Sequence, residues 1–163
     1  MRKGPYPVAY DRTDDFRMTS LEFGNLNPGE TSPEIILHLW NKKDFSDAPD
    51  AIGIRISALA GNACAGEIVE EKFLQVKSDG VVDPDGKGII DDAESEFSAI
   101  GGSLIDPDCY HEIGDIPVNC ARRLIFRLDI PEEFESNGAP RLLLQIGYLS
   151  DEVKWLYASE EFE

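Results

Sequence analysis

The feature that most constrains this chain is a two-residue alternation of apolar side chains, repeated in several short runs. The clearest run is residues 35–40, where every odd-numbered residue is isoleucine or leucine. Successive side chains of an extended strand point to opposite faces, so this period predicts β-strands. Further runs of the same kind lie at residues 21–23, 52–59, 124–130 and 142–148.

Weaker patterns complete the predicted architecture. Residues 67–77, 97–104 and 153–158 favour three more strands, while residues 41–50 and 78–96 are rich in Asp and favour long acidic loops. Pro28 and Gly29 predict a type II turn, because Pro presets φ and Gly accepts a positive φ. Seven to eight short strands without a long amphipathic helix predict an all-β fold, an antiparallel β-sandwich with long acidic loops.

The chain length fits one domain. Its 163 residues are enough to bury a self-sufficient core. Residues 1–19 contain Pro5, Pro7 and a charged run, and they predict an N-terminal arm or lead-in rather than a strand pair. We therefore expect a single β-sandwich domain over residues 20–163.

The charge excludes some partners. The chain has 32 acidic and 15 basic residues, a net charge of −17. A field of this sign repels nucleic acid and anionic membranes, so neither is an expected partner. It is compatible with simple solubility, with cation binding, or with a basic protein partner.

Cysteines and hydropathy indicate the compartment. Cys64, Cys109 and Cys120 are an odd number without zinc-type spacing, and they predict reduced, mostly buried thiols. A bridge between Cys109 and Cys120 is the alternative. No signal peptide and no apolar run of membrane-spanning length is present. We expect synthesis in the cytoplasm, and association with a virion is compatible with that.

Two segments carry a family resemblance. Residues 21–32 (Leu-Glu-Phe-Gly-Asn-Leu-Asn-Pro-Gly-Glu-Thr-Ser) lead into Ile36-Leu-His-Leu-Trp-Asn41. This opening resembles immunoglobulin-like domains of the abnormal-spindle and Hydin type. It is also similar to small structural proteins of bacteriophages and prophages, which have a late segment like Leu128-Asp-Ile-Pro followed by Leu-Gln-Ile-Gly-Tyr148. The resemblance implies an immunoglobulin-like sandwich and a virion or tail-associated structural role.

One segment has the spacing of a calcium loop. In residues 83–94, Asp83, Asp85, Asp91 and Glu94 occupy the first, third, ninth and twelfth positions of an EF-hand loop, with Gly88 at the sixth. A hard cation needs six to eight oxygen ligands, and the glycine permits the sharp turn that gathers them. Lys87 replaces the fifth ligand, so any calcium affinity is expected to be weak. A turn-rich surface loop is the alternative.

Other chemistry-bearing residues favour packing. His38, Trp40 and Trp155 lie in alternating apolar runs, so we expect them to pack rather than to act as a base or a sugar platform. His111 and Cys109 are placed in a loop and form only a minor nucleophile candidate. No catalytic or cofactor motif occurs.

These observations favour a protein that is not an enzyme. The expected function is a structural or assembly role through protein–protein contacts, either with a protein partner or in a homo-oligomer, with open sheet edges available for pairing. The phage-type resemblance adds a virion or tail component. The alternative is a binding module for a carbohydrate or a calcium-dependent ligand.

Overall fold

In the computed structural model the chain forms two antiparallel β-sheets. The structure describes seven ranges of the chain, which are residues 7–41, 51–82, 89–91, 96–117, 120–134, 138–149 and 155–157. Sheet A contains β1 (Pro7–Asp11), β3 (Ile35–Asn41), β5 (Leu74–Val82), β6 (Ile89–Asp91), β7 (Ser98–Ile100) and β9 (Ala121–Leu128). Sheet B contains β2 (Ser20–Glu22), β4 (Ala51–Ala60), β8 (His111–Ile116), β10 (Arg141–Leu149) and β11 (Trp155–Tyr157).

The strand order interleaves distant parts of the chain. Sheet A has the order β1-β3-β9-β5-β6, and β7 also pairs with β5. Sheet B has the order β11-β10-β4-β8, and β2 also pairs with β10. Eleven strands are described, and four of them have three residues, whereas the sequence predicts seven or eight. The three strands that the sequence does not predict are β1, β6 and β8, whereas three of the three-residue strands, β2, β7 and β11, lie within predicted runs.

The core lies between the two sheets. Leu37 and Phe126 from sheet A meet Ile54 and Leu144 from sheet B in one cluster, and each is at most 3% exposed. A fully buried side chain of this size contributes about 1.5–3 kcal/mol relative to an exposed one. The predicted β-sandwich with one shared interior is therefore confirmed. The acidic segments 42–50 and 83–88 lie outside the described residues.

The Pro28–Gly29 turn is confirmed and carries the chain from one sheet to the other. Gly29 has a φ of +82°, and the Glu30 N–H donates to the Asn27 carbonyl at 3.1 Å. This is the hydrogen bond and backbone of a type II turn. Strand β3 then ends at Asn41, which is fully buried and donates from its side-chain amide to the Ile116 carbonyl of sheet B at 3.1 Å.

In the segment predicted as a strand over residues 67–77, only residues 74–77 belong to a strand. A 3-10 turn (Ala63–Ala65) and helix α1 (Gly66–Glu70) come first, and the strand begins at Leu74. The helix buries Ile68 in the core, and Lys72 follows it with a φ of +58°, which stops further helical bonding. A five-residue helix shows less than two turns of its period, so its pattern is easily mistaken for alternation.

Three other predictions of local structure were wrong. The loop predicted over residues 78–96 contains the end of β5 and the whole of β6, which pair through Val82 and Ile89. His111, predicted in a loop, is the first residue of β8. The lead-in contains strand β1, which pairs along β3 from Pro7 opposite Asn41 to Asp11 opposite Leu37. Proline at the start of an edge strand is compatible with pairing, because it lacks only a donor.

Candidate interaction surfaces

The turn after β1 is organised by one carboxylate. Asp11 Oδ1 accepts hydrogen bonds from Thr13 Oγ1 at 2.8 Å and from the backbone N–H groups of Asp15 and Phe16 at 3.1 and 3.4 Å. Desolvation opposes the charged form of Asp11, but the hydrogen bonds from Thr13, Asp15 and Phe16 outweigh it and lower its pKa. The turn holds Asp14 at a φ of +62°, a left-handed conformation that is uncommon for residues other than glycine.

Asp14 connects this turn to the outer face of sheet A. Its Oδ1 accepts hydrogen bonds from His38 Nδ1 at 2.9 Å and from Trp40 Nε1 at 2.7 Å. His38 is 5% exposed and Trp40 is 3% exposed, and Trp40 packs with Ala121 and Tyr10. We call residues 7–18 the N-terminal hairpin, since Met18 N–H donates to the Ala9 carbonyl at 2.9 Å. It covers this part of sheet A.

Burial therefore confirms packing for His38 and Trp40. Trp40 presents no exposed ring for a sugar, and the His38 ring is held by a carboxylate. The side chain of Trp155 lies outside the described residues. Asp14 was not identified from the sequence. Asp14 and Asp15 follow strand β1, which the sequence does not predict, and nothing in the neighbouring residues indicates a hydrogen-bond partner 24 residues away.

His111 and Cys109 are not joined by any described hydrogen bond. Cys109 Sγ donates towards Asp106 Oδ2 at 3.7 Å. Burial lowers the pKa of His111, and the negative charge of Glu112 partly opposes this. No disulfide joins Cys109 to Cys120, and all three cysteines, each among the described residues, are partly rather than fully buried.

The calcium-loop prediction falls mostly outside the described residues. Asp83, Asp85 and Glu94 are not described, and Asp91 is described only as the last residue of β6. The loop therefore stays a prediction. Within the described ranges, no group of three or more His, Cys, Asp or Glu side chains is arranged to hold a metal ion.

The outer face of sheet B carries an apolar pair. On β4, Arg55, Ser57 and Leu59 alternate with the core residues. Across the strand, Leu59 lies opposite Leu143, and Ser57 Oγ donates to Gln145 Oε1 at 2.8 Å. Leu59 is 38% exposed. Ser57 itself is fully buried, so the accessible surface here is formed by Leu59, Leu143 and Gln145, and we call it face B.

An arginine and an aromatic ring border face B. The Arg55 guanidinium lies 4.1 Å from the centroid of the Tyr110 ring, and Arg55 Nη1 donates to the Leu104 carbonyl at 3.1 Å. The next residue, Ile105, is 72% exposed. Its N–H donates to Ser103 Oγ at 3.1 Å, so the apolar side chain stands on a hydrogen-bonded turn.

The charges on and beside face B are balanced along the strands. Arg55 lies opposite Glu112 on β8. Arg141 lies opposite Glu22 on β2, with 3.8 Å between Arg141 Nε and Glu22 Oε1. Each of these two arginines is thus matched by an acidic cross-strand partner.

Face B could have been found in the sequence. Leu59 and Leu143 occupy the alternate positions of their strands that are predicted to face water, where most of the other residues are polar. An apolar residue at such a position is a signal for an interaction surface.

A small cleft opens on the side of the sandwich. It has a volume of about 180 Å³ and lies between β1 and β10, with Val8, Ala9, Leu144 and Ile146 among its lining residues. The lining is mainly apolar, and the titratable side chain in it is Arg17. This arrangement does not form a set of converging catalytic groups.

Neither a scan against protein-family models nor a search of curated proteins finds a match for this chain. Among the described residues, no helix is long and apolar enough to span a membrane.

Proposed function

We propose that this protein is a non-enzymatic structural or assembly protein that associates with copies of itself through face B. The observation that carries the proposal is the exposed Leu59 beside Leu143, on a surface bordered by Arg55, Tyr110 and Ile105. Tyr and Arg are enriched among the interface residues that carry most of the binding energy, and the buried core of an interface is more apolar than the remaining surface.

The charge distribution supports face B as the contact. Two copies with a net charge of −17 repel each other over most of their surface. At face B, Arg55 is matched by Glu112 and Arg141 by Glu22. Exposed charges are screened within about 8 Å at physiological salt. The repulsion between two copies is therefore weakest where neighbouring positive and negative charges balance, as they do at face B.

The biological setting that we propose is a virion or a phage tail. Its support is the resemblance of residues 21–41 to the opening of phage and prophage structural proteins. Identical chains most often assemble through symmetric self-contacts, and the proposed contact through face B fits such a role.

Size-exclusion chromatography with light scattering tests the proposal. The full chain is expected to form an oligomer whose population rises with concentration, and the double variant Leu59→Ser, Ile105→Ser is expected to be monomeric. The matched control is Phe16→Ser, because Phe16 is 71% exposed, like Ile105, but lies on the N-terminal hairpin of sheet A.

Two results would contradict the proposal. One is a wild-type chain that stays monomeric at all concentrations. The other is a loss of the oligomer in Phe16→Ser equal to that in the double variant, because the contact would then depend on general apolar exposure rather than on face B.

A further inference from the structure

The outer face of sheet A carries two cations over one aromatic ring, away from the N-terminal hairpin. Arg127 Cζ lies 3.8 Å from the centroid of the Phe97 ring, and Lys77 Nζ lies 4.9 Å from it. Lys77 is on β5 and Arg127 is on the neighbouring strand β9. We call this group, with Gln75, the Phe97 cation site.

Arg127 is oriented from two directions. Its Nε donates to Gln75 Oε1 at 2.7 Å, and Gln75 is its cross-strand partner on β5. Its guanidinium plane contacts the Phe97 ring. A guanidinium fixed in this way loses little freedom on binding, and its two terminal nitrogens still have N–H groups to donate.

The two cations have no acidic partner within the part of the chain that the structure describes. Neither Lys77 nor Arg127 forms an ion pair with an acidic side chain that the structure describes, and their described contacts are those with Phe97 and, for Arg127, with Gln75. The chain has 32 acidic and 15 basic residues, so acidic neighbours are abundant. Lys77, Arg127, Gln75 and Phe97 are all partly exposed, so the site is accessible to a ligand.

We propose that the Phe97 cation site binds a carboxylate on an acidic segment of a partner protein. The terminal N–H groups of Arg127 match the two oxygens of a carboxylate, and Lys77 adds a second positive charge beside them. A polyphosphate such as nucleic acid would be repelled by the net charge of −17, whereas a short acidic peptide brings few charges. The site lies on the sheet opposite to face B, so it is independent of the proposed self-association.

An NMR titration of the ¹⁵N-labelled full chain with acetylated, amidated tetraglutamate tests the site. Saturable shifts are expected at the Arg127 Nε–Hε signal and at the residues around Phe97. Arg127→Gln should weaken binding at least about tenfold, since it removes hydrogen bonds between charged groups. Lys77→Gln should weaken it less, and it keeps the test valid if Arg127→Gln does not fold.

Two further variants separate a defined site from general attraction. Gln75→Leu leaves the net charge unchanged but removes the bond that orients Arg127, and it should weaken binding about threefold to tenfold. Arg122→Gln changes the charge as Arg127→Gln does, but Arg122 lies opposite Leu39, on the other face of β9, and binding should stay nearly the same.

Three outcomes would overturn the inference. They are an absence of saturable shifts with tetraglutamate, an equal loss in Arg122→Gln and Arg127→Gln, and binding of inorganic phosphate as tight as that of the peptide.

Discussion

The outer faces of the two sheets follow the same alternation but differ in what covers them. On sheet A, the N-terminal hairpin lies over His38 and Trp40, which are 5% and 3% exposed, and Asp14 accepts a hydrogen bond from each ring. On sheet B, the outward-facing Ser57 is fully buried, but Leu59, two residues further along the same strand, is 38% exposed. The residues of a strand that point away from the core are therefore not always exposed to solvent. A segment that packs over an outer face and supplies a hydrogen-bond acceptor, as the N-terminal hairpin does with Asp14, buries that face.

Among the substitutions that test this contrast, Asp14→Ala is expected to change the free energy of unfolding the most. The substitution removes the carboxylate that accepts from His38 Nδ1 and Trp40 Nε1, two groups on nearly buried rings. Loss of a buried acceptor costs about 1–3 kcal/mol for each donor. Because the Asp14 side chain is itself 23% exposed and water can take its place in part, we expect the free energy of unfolding to fall by about 2–4 kcal/mol rather than by the full sum for two donors. Urea denaturation with tryptophan fluorescence measures this change.

The control is Asp15→Ala in the same turn. Asp15 is exposed and contributes its backbone N–H, which the substitution keeps. Its effect should be within about 0.5 kcal/mol. If both variants lost the same stability, the hairpin would be held by the turn itself and not by the Asp14 carboxylate.

Much of the fold could be predicted from the sequence, because long strands repeat their period enough times to be recognised. Strands β3, β4, β9 and β10 were all predicted, and their inward residues form the core. Helix α1 was missed because five residues do not distinguish a helical period from alternation. Strand β1 was missed because Pro5 and Pro7 and the charged residues after it are typical of a loop, and its pairing with β3 depends on tertiary context.

The candidate surfaces were less predictable, because they depend on contacts between distant segments. No local pattern places Asp14 against His38, or Arg127 against Phe97. These pairs are set by the strand order of sheet A and by a turn with a positive φ at Asp14. Leu59 and Leu143 are different, since the alternation of their own strands is enough to place them on a water-facing row.

The two histidines sharpen the comparison, because one belongs to each sheet. Burial lowers the pKa of His111 on β8 below the 6.5 of a free imidazole, with Glu112 partly opposing. The unfolded chain then binds the proton more readily than the folded chain. The stability that the neutral ring contributes is complete above pH 6.5 and is lost as the pH falls through the folded-state pKa.

His111→Gln should therefore flatten the pH dependence of the unfolding free energy below pH 6.5, compared with the wild-type chain. Titration of the His111 ring by NMR gives the pKa directly. A midpoint at or above that of a free imidazole would show that this edge of sheet B is more open to water than the burial of His111 indicates.

The smallest effect on the folded monomer is expected from Leu59→Ser. Leu59 is 38% exposed, and surface substitutions usually change stability by no more than about 0.5 kcal/mol. The effect on association should be much larger, because binding between folded copies stabilises the fold by mass action and makes the melting temperature depend on protein concentration. The wild-type melting temperature should rise with concentration, and that of Leu59→Ser should stay constant and match the wild type at high dilution. A variant that melts far below the dilute wild-type chain would mean that Leu59 is packed within the monomer, and face B would then resemble the covered face of sheet A.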